Sequence, residues 1–348
     1  MRKIIYNLAT DKSKGFIAGL AKFILFLLSL VYGLVIRILI FLNRLKQKRL
    51  NCKVISVGNI TLGGTGKTTL VEYIACFLKE HGRKVAILSR GYKRKKGEAG
   101  DEPFMLSEKL KDIPVIVNAN RIKGARQARE LHGVDTLILD DGFQQWKLKK
   151  DLEIVSIDAI NPFGNRSMIP RGILREPLSS LKRADIFIIT KTNLSKDVDY
   201  VRRALEQINP ESLTCESIHK PLSFYCLSNP REALDVYGLE GKPAVLFSGI
   251  GDPDSFEKLI KILGINIALT FRFDDHHNYT LGDLEKIFSD AKAKGNLKII
   301  TTQKDAARLS SLALAQDLTA QILVLNIGLV ITKEQKEFHD RLLKLYSL

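Results

Sequence analysis

From Lys53 onward, apolar runs of four to seven residues alternate with stretches whose apolar positions recur at helical spacing. The strand-like runs are VISVG (54–58), KVAILS (84–89), PVIV (114–117), DTLILDD (135–141), LEIVSID (152–158) and DIFIIT (185–190). Between them, 67–80 and 121–132 carry the 3.6-residue period of amphipathic helices. Short β-branched runs that alternate with helices belong to a parallel sheet covered on both faces. After Pro221 a second series begins, PAVLFSGI (243–250), NIALTFRF (266–273), NLKIITT (296–302) and QILVLNI (321–327), with helices expected near 254–264 and 280–294. The pattern predicts an α/β fold: a mostly parallel sheet with helices on both faces over 51–220, a connection near 210–222, and a smaller α/β lobe over 221–348.

The first fifty residues break this rhythm. Phe23 to Leu42 reads FILFLLSLVYGLVIRILIFL, with Arg37 the only charge. As a helix, twenty residues span about 30 Å, the thickness of a hydrocarbon layer. A secretory signal would be preceded by fewer residues and followed by a small-residue cleavage site. A core helix would be apolar along one stripe, whereas this one is apolar all round. Residues 1–50 therefore read as a membrane-anchoring segment. Its flanks are both basic, with Arg2, Lys3, Lys12, Lys14 and Lys22 before and Arg44, Lys46, Lys48 and Arg49 after. That symmetry favours a helix that enters the cytoplasmic leaflet from one side over one that spans.

Residues 54–69, VISVGNITLGGTGKTT, join a buried-strand run to a helix through a glycine-rich turn. Successive backbone N–H groups and a helix N-terminus make such a turn a phosphate cradle. Thr61, Leu62, Gly63, Gly64, Thr65, Gly66, Lys67, Thr68 and Thr69 are the expected nucleotide-binding residues. Lys67 supplies the point charge for the β- and γ-phosphates, and the Thr68 hydroxyl a Mg²⁺ ligand. Thr61 stands where G-x-x-x-x-G-K-[ST] has its first glycine, but Gly63, Gly64 and Gly66 leave the loop free to adopt positive φ. The sheet is thus of P-loop NTPase type.

LILDDGFQ (137–144) is an apolar strand ending in two carboxylates, and an acid at such a tip holds Mg²⁺ directly or through water. Asp140 and Asp141 are the candidates. Gly100-Asp101-Glu102-Pro103 reads as an acidic turn. FDDHHNY (273–279) sets adjacent histidines beside carboxylates, the makings of a proton relay. TKTN (190–193) ends a strand like the guanine reader T-K-x-D, but Asn193 lacks the carboxylate that guanine requires, so ATP fits better than GTP.

The 348 residues hold 54 Lys and Arg against 38 Asp and Glu, a net charge of +16, which favours polyanionic partners without choosing among them. No aromatic–basic interleaving or recognition motif points to nucleic acid. The four cysteines form no C-x-x-C pair, as expected of a reducing cytosol.

Together, VGNITLGGTGKT, LSRGY (88–92), GDEP (100–103), DDGFQ (140–144), ILREP (173–177), GIGDP (249–253), FDDHHNY and TTQKDAARL (301–309) resemble, in order, the motifs of the tetraacyldisaccharide 4'-kinase (lipid A 4'-kinase) family. The likeness covers nearly the whole chain and includes the threonine in the loop. It implies an enzyme at the cytoplasmic face of the bacterial inner membrane. Its reaction would transfer the γ-phosphoryl group of ATP, with Mg²⁺, to the 4'-hydroxyl of an acylated glucosamine disaccharide 1-phosphate in lipid A biosynthesis. It further implies Asp101 as catalytic base, paired with His276 or His277, of which His276 is preferred. Lys67 and Asp141 join the catalytic set, Thr68, Asp140 and Asp141 the metal side, and Arg90, Gln144 and Arg175 the substrate or nucleotide contacts. Departures are Gln145 where the family has His, Gln303 where it has Glu, and Arg171 in PRGILREP. A membrane-docked NTPase switch would share the loop and the Mg²⁺ acid but would not need Asp101 and a histidine.

Overall fold

In the computed structural model, residues 8–11, 13–91, 100–309, 312 and 315–347 are described. The chain divides into two compact units: Met1–Arg90, Asp112–Ile218 and Ile331–Leu348 in the first, Gly91–Lys111 and His219–Val330 in the second. Two stretches depart from a division at residue 220. The segment 91–111 belongs with the second unit, and the C-terminal helix Gln335–Lys344 with the first.

The strands of the first unit are β1 (Lys53–Gly58), β2 (Val85–Ser89), β3 (Val115–Val117), β4 (Thr136–Asp140), β5 (Leu152–Asp158), β6 (Ile186–Thr190) and the start of β7 (Leu213–Cys226). They lie in the order β7-β6-β5-β1-β4-β2-β3, and every pair is parallel. Because β4 and β5 flank β1 on opposite sides, the chain order reverses beside the C-terminal end of β1, where open α/β sheets bind ligands. Their β-branched side chains are buried on both faces, as in Val54, Ile55 and Val57 of β1. The helix Lys67–Glu80 follows β1 and buries Leu70, Ile74 and Leu78 along one face.

The predicted connection at 210–222 is instead strand, the first half of β7. Pro221 obscured it: proline cannot donate to a ladder. It falls between two pairings, with β6 over Leu213–Glu216 and with the antiparallel β8 (Asn229–Leu234) at Phe224 and Cys226.

In the second unit, β10 (Asn266–Arg272), β9 (Pro243–Ser248), β11 (Lys298–Thr302) and β12 (Ile322–Lys333) run parallel in that spatial order. Phe247, Tyr279, Leu284, Ile287 and Ile299 share its core. GDEP opens a helix, Asp101–Lys109, with Pro103 in its first turn where a missing N–H costs nothing. This helix packs on Gln303–Leu309.

The apolar N-terminal segment is a single helix, Phe16–Leu45, longer than its hydrophobic run at both ends. It is long and apolar enough to cross a membrane. Only Ser29, Gly33 and Ile36 are buried, a narrow stripe at i, i+4 and i+7. A Cβ on Gly33 would stand 3.1 Å from Met168 Sδ, so glycine permits the close approach there. Beside it, Tyr32 Oη donates to the Arg175 carbonyl at 3.1 Å. The unusual Arg171 pairs with Asp11 at 2.8 Å. Lys22 and Arg171, working against burial, hold the Asp11 carboxyl at about 2.

Candidate functional site

The glycine turn closes around two residues that need left-handed backbone, Gly63 (φ 115°) and Gly66 (φ 78°); Gly64 lies outside that region. Thr61 is buried and bridges to Leu174, which explains why a β-branched residue suits the position expected to hold glycine. Leu62 donates its N–H to Ile173 and leaves its side chain exposed. The carbonyls of the turn are tied from behind. Thr65 O accepts from Ser156 Oγ and from Thr190 Oγ1 (3.0 Å), and Gly64 O from Lys191 Nζ (2.9 Å). Lys191 also grips Asp158 at 2.5 Å. Tying back these two carbonyls suits a phosphate cradle, which works through its N–H groups. In TKTN it is thus Lys191 that turns to the loop, while Asn193 is exposed.

Four side chains converge at the mouth of the turn. Lys67 Nζ donates to Asn59 Oδ1 at 3.0 Å and lies 3.7 Å from Asp141 Oδ1. Arg175 clasps Asp141 with both terminal nitrogens, at 2.8 and 3.0 Å, and reaches Asn59 Oδ1 at 3.2 Å. Burial opposes the charge on Asp141, but Lys67 and Arg175 outweigh it and hold the carboxyl at about 2. Asp141 can stay in this geometry because its backbone is left-handed (φ 55°), turning the chain sharply after β4. Gln144 donates to Asn59 O at 3.2 Å and to Glu176 at 3.1 Å, and Glu176 is also held by Trp146 and Arg183.

Asp140 is buried at the tip of β4, opposite Val57 in the register of β1, and its carbonyl accepts from Arg121 at 3.0 Å. Burial draws Arg121 down to about 10. The Thr68 side chain is buried at the start of the following helix, and Thr69 Oγ1 turns back to Gly66 O at 2.8 Å. Thr65 Oγ1 is buried without a hydrogen-bond partner among the described residues. Arg90 is exposed past β2 and its charge presses on Arg121, while Tyr92 of LSRGY lies outside the described residues.

In the second unit, His276 Nδ1 sits 3.3 Å from Asp101 Oδ2. The Asp101 hydrogen bond, ahead of an opposing burial, raises the His276 pKa above its ordinary value. His277 goes elsewhere: its Nε2 meets Asp283 at 3.0 Å and its ring stacks on Phe273. The left-handed turn at His276 (φ 61°) sends the two rings apart. The structure thus brings Asp101 to His276 and not to His277. Arg308 and Asp305 stand behind the pair, with Arg308 Nε 2.6 Å from Asp101 Oδ2. Asn59, Lys191, Asp305 and Arg308 went unassigned on sequence, though each lies inside or beside a quoted motif.

The chain matches the family model described as tetraacyldisaccharide-1-P 4'-kinase over residues 21–347. It is 38% identical to the tetraacyldisaccharide 4'-kinase of Halothermothrix orenii, over 89% of this chain and 88% of that protein. With the enzyme of the same name from Elusimicrobium minutum it shares 36%, over 91% and 89%. Among solved structures it is similar to that of LpxK from Aquifex aeolicus in complex with ATP, with a TM-score of 0.69 and 28% identity over 92% of this chain and 98% of that one.

Proposed function

Because the chain belongs to the tetraacyldisaccharide-1-P 4'-kinase family, we infer that it transfers the γ-phosphoryl group of ATP to the 4'-hydroxyl of an acylated glucosamine disaccharide 1-phosphate. The observation that carries the reading beyond kinship is the Lys67–Asn59–Asp141–Arg175 cluster at the mouth of the glycine turn. Two cations fixed at the end of a phosphate cradle suit a group whose charge spreads over its outer oxygens during transfer.

Lys67 would neutralise the β- and γ-phosphates, with Arg175 held in reach of the transferring group by Asp141. The Thr68 hydroxyl at the helix start and the Asp140 carboxylate at the tip of β4 are hard oxygen donors. That donor set fits Mg²⁺, which takes one or two carboxylates and completes its shell with phosphate and water. When bound, the ion would offset charge on the phosphate oxygens. Asp101 is our candidate base: the acceptor oxygen bonds to the γ-phosphorus, the bond to the β,γ-bridging oxygen breaks, ADP departs, and the hydroxyl proton passes to Asp101 and on to His276. Gln144 and Arg90 would contact nucleotide or sugar.

The helix Phe16–Leu45 supports work at the cytoplasmic face of the inner membrane, since exposing each CH₂ of an acyl chain costs about 0.8 kcal/mol. Purified protein incubated with Mg-ATP and the acylated disaccharide 1-phosphate in detergent is expected to give a bis-phosphorylated lipid by mass spectrometry. ATP consumed without that product would mark a nucleotide switch instead.

A further inference from the structure

Arg308 is buried, with its side chain 2% exposed, yet every terminal nitrogen is directed at a neighbour. Nε donates to Asp101 Oδ2 at 2.6 Å, and Nη1 to Gly249 O at 2.6 Å and to Asp305 Oδ1 at 2.9 Å. Nη2 stands 3.4 Å from His276 Nδ1. Asp305 cannot yield, because it is buried and also accepts from Thr302 Oγ1 (2.7 Å), Tyr279 Oη (2.9 Å) and the Gly249 N–H (3.0 Å). The Gly249 carbonyl accepts in addition from the His276 N–H at 3.0 Å. One guanidinium therefore anchors the Asp101 carboxylate and the backbone from which the His276 ring projects.

We propose that Arg308 is the positioning residue of this pair, deciding where its proton rests and keeping Asp101 ionised and aimed before the acceptor hydroxyl arrives. The proposal rests on the reading of Asp101 as base. Its core is a competition for one atom. Arg308 Nε and His276 Nδ1 both approach Asp101 Oδ2, and a guanidinium does not surrender its proton. Of these three groups, only the imidazole can therefore take on a proton that Asp101 receives. Burial works against the charge on Arg308, but Asp101 and Asp305 outweigh it and hold the group above its ordinary value.

Among the described residues, other charges near the pair have partners or positions of their own. Glu102 is paired with Lys304, Asp275 stands 3.9 Å from His276 Nε2 on the solvent side, and Asp283 is turned to His277. Arg308 is thus the one buried cation among the described groups that touches Asp101 directly. A carboxylate so held is a weaker base, but its place beside the ring is fixed. A purely structural Arg308–Asp305 pair would stabilise the unit without altering how activity depends on pH.

The test uses the full-length enzyme in detergent with Mg-ATP and the acylated disaccharide, following kcat/KM from about pH 3 to 9, whose acidic limb reports the free enzyme's base. The variants are Asp305→Asn, the double Arg308→Met/Asp305→Asn, which leaves no orphaned buried charge, Arg308→Lys and Asp101→Asn, each checked for a cooperative melt. The double variant is expected to move the acidic limb upward by about one pH unit, the low end of what an adjacent arginine does to a carboxylate. Asp305→Asn alone leaves the limb in place. Arg308→Lys keeps the limb but lowers kcat roughly tenfold with KM for ATP unchanged, because an ammonium cannot hold all the acceptors of a fork. A folded double variant whose limb coincides with the wild type, while Asp101→Asn is inactive, overturns the role of Arg308 and leaves the base standing. Full turnover by Asp101→Asn removes the base and this proposal with it.

Discussion

Gly58, the last residue of β1, tests how the core sets the site. A Cβ built there would lie 2.5 Å from both the Cβ and the backbone N of Phe143 and 3.0 Å from its Cα. Ordinary contact begins at 3.4 Å, so alanine forces the two segments about 0.9 Å apart. The backbone of Gly58 is not left-handed, so the collision is the whole effect. Phe143 has nowhere to retreat: it is fully buried with Ile60, Val155 and Phe187, and Arg183 stacks on its ring. Its neighbours Asp141 and Gln144 are bonded to Arg175 and Asn59, so the displacement is passed to the cluster at the phosphate turn. Overpacking of this kind costs about 1–3 kcal/mol, and a misplacement of about 1 Å near the reacting groups costs on the order of a hundredfold in rate. Gly58→Ala is therefore expected to lower Tm by roughly 3–8 °C and kcat/KM for ATP by about a hundredfold, read by differential scanning fluorimetry and steady-state kinetics. Gly64→Ala is the contrast, with nothing within 4 Å of its Cβ, and should melt within about 2 °C of the wild type. A Gly58→Ala enzyme with native melting and native kinetics would refute the claim that this packing sets the strand tip.

Three further outcomes follow from the geometry. Arg175→Met removes a bidentate, charge-assisted clasp on Asp141, and calorimetry should show ATP binding weakened roughly tenfold or more; unchanged affinity would place Arg175 outside the nucleotide site. The His276 pKa is raised in the folded protein, so its contribution to stability is full below the ordinary value of 6.5 and is lost as pH rises through the higher folded value. The Tm gap between wild type and His276→Gln should accordingly shrink between pH 6 and 9, and a gap that widens would reverse the assignment. Gly33→Leu drives a branched side chain into Met168, and should lower activity in detergent while liposome flotation stays at the wild-type level; full activity would show that the buried stripe is not needed for catalysis.

Strands buried on both faces were legible in sequence, because a run such as DIFIIT needs no partner pattern to be recognised. β7 was not, because its fourteen residues pair with three other strands, β6, β12 and β8, and change from buried to half-exposed around Pro221. The nucleotide end of the site was readable since a glycine turn, a lysine and a threonine are contiguous. The Asp101–His276 pair was readable only as pieces, since Asp101 lies 175 residues before His276 and 207 before Arg308, and only folding shows which histidine meets it. GDEP looked like a turn because proline and glycine bracket it, yet proline is welcome in a helix's first turn. Arg308 carried no signal of its own: in TTQKDAARL it occupies a helix position that surface arginines fill in many proteins.

The hydroxyl that Tyr32 lends to the main chain at Arg175 ties the long apolar helix by one hydrogen bond to the residue whose guanidinium clasps Asp141. A surfactant that slides or rolls this helix is then expected to loosen that clasp first. Detergents for work on this enzyme should therefore be chosen by how well the protein retains ATP.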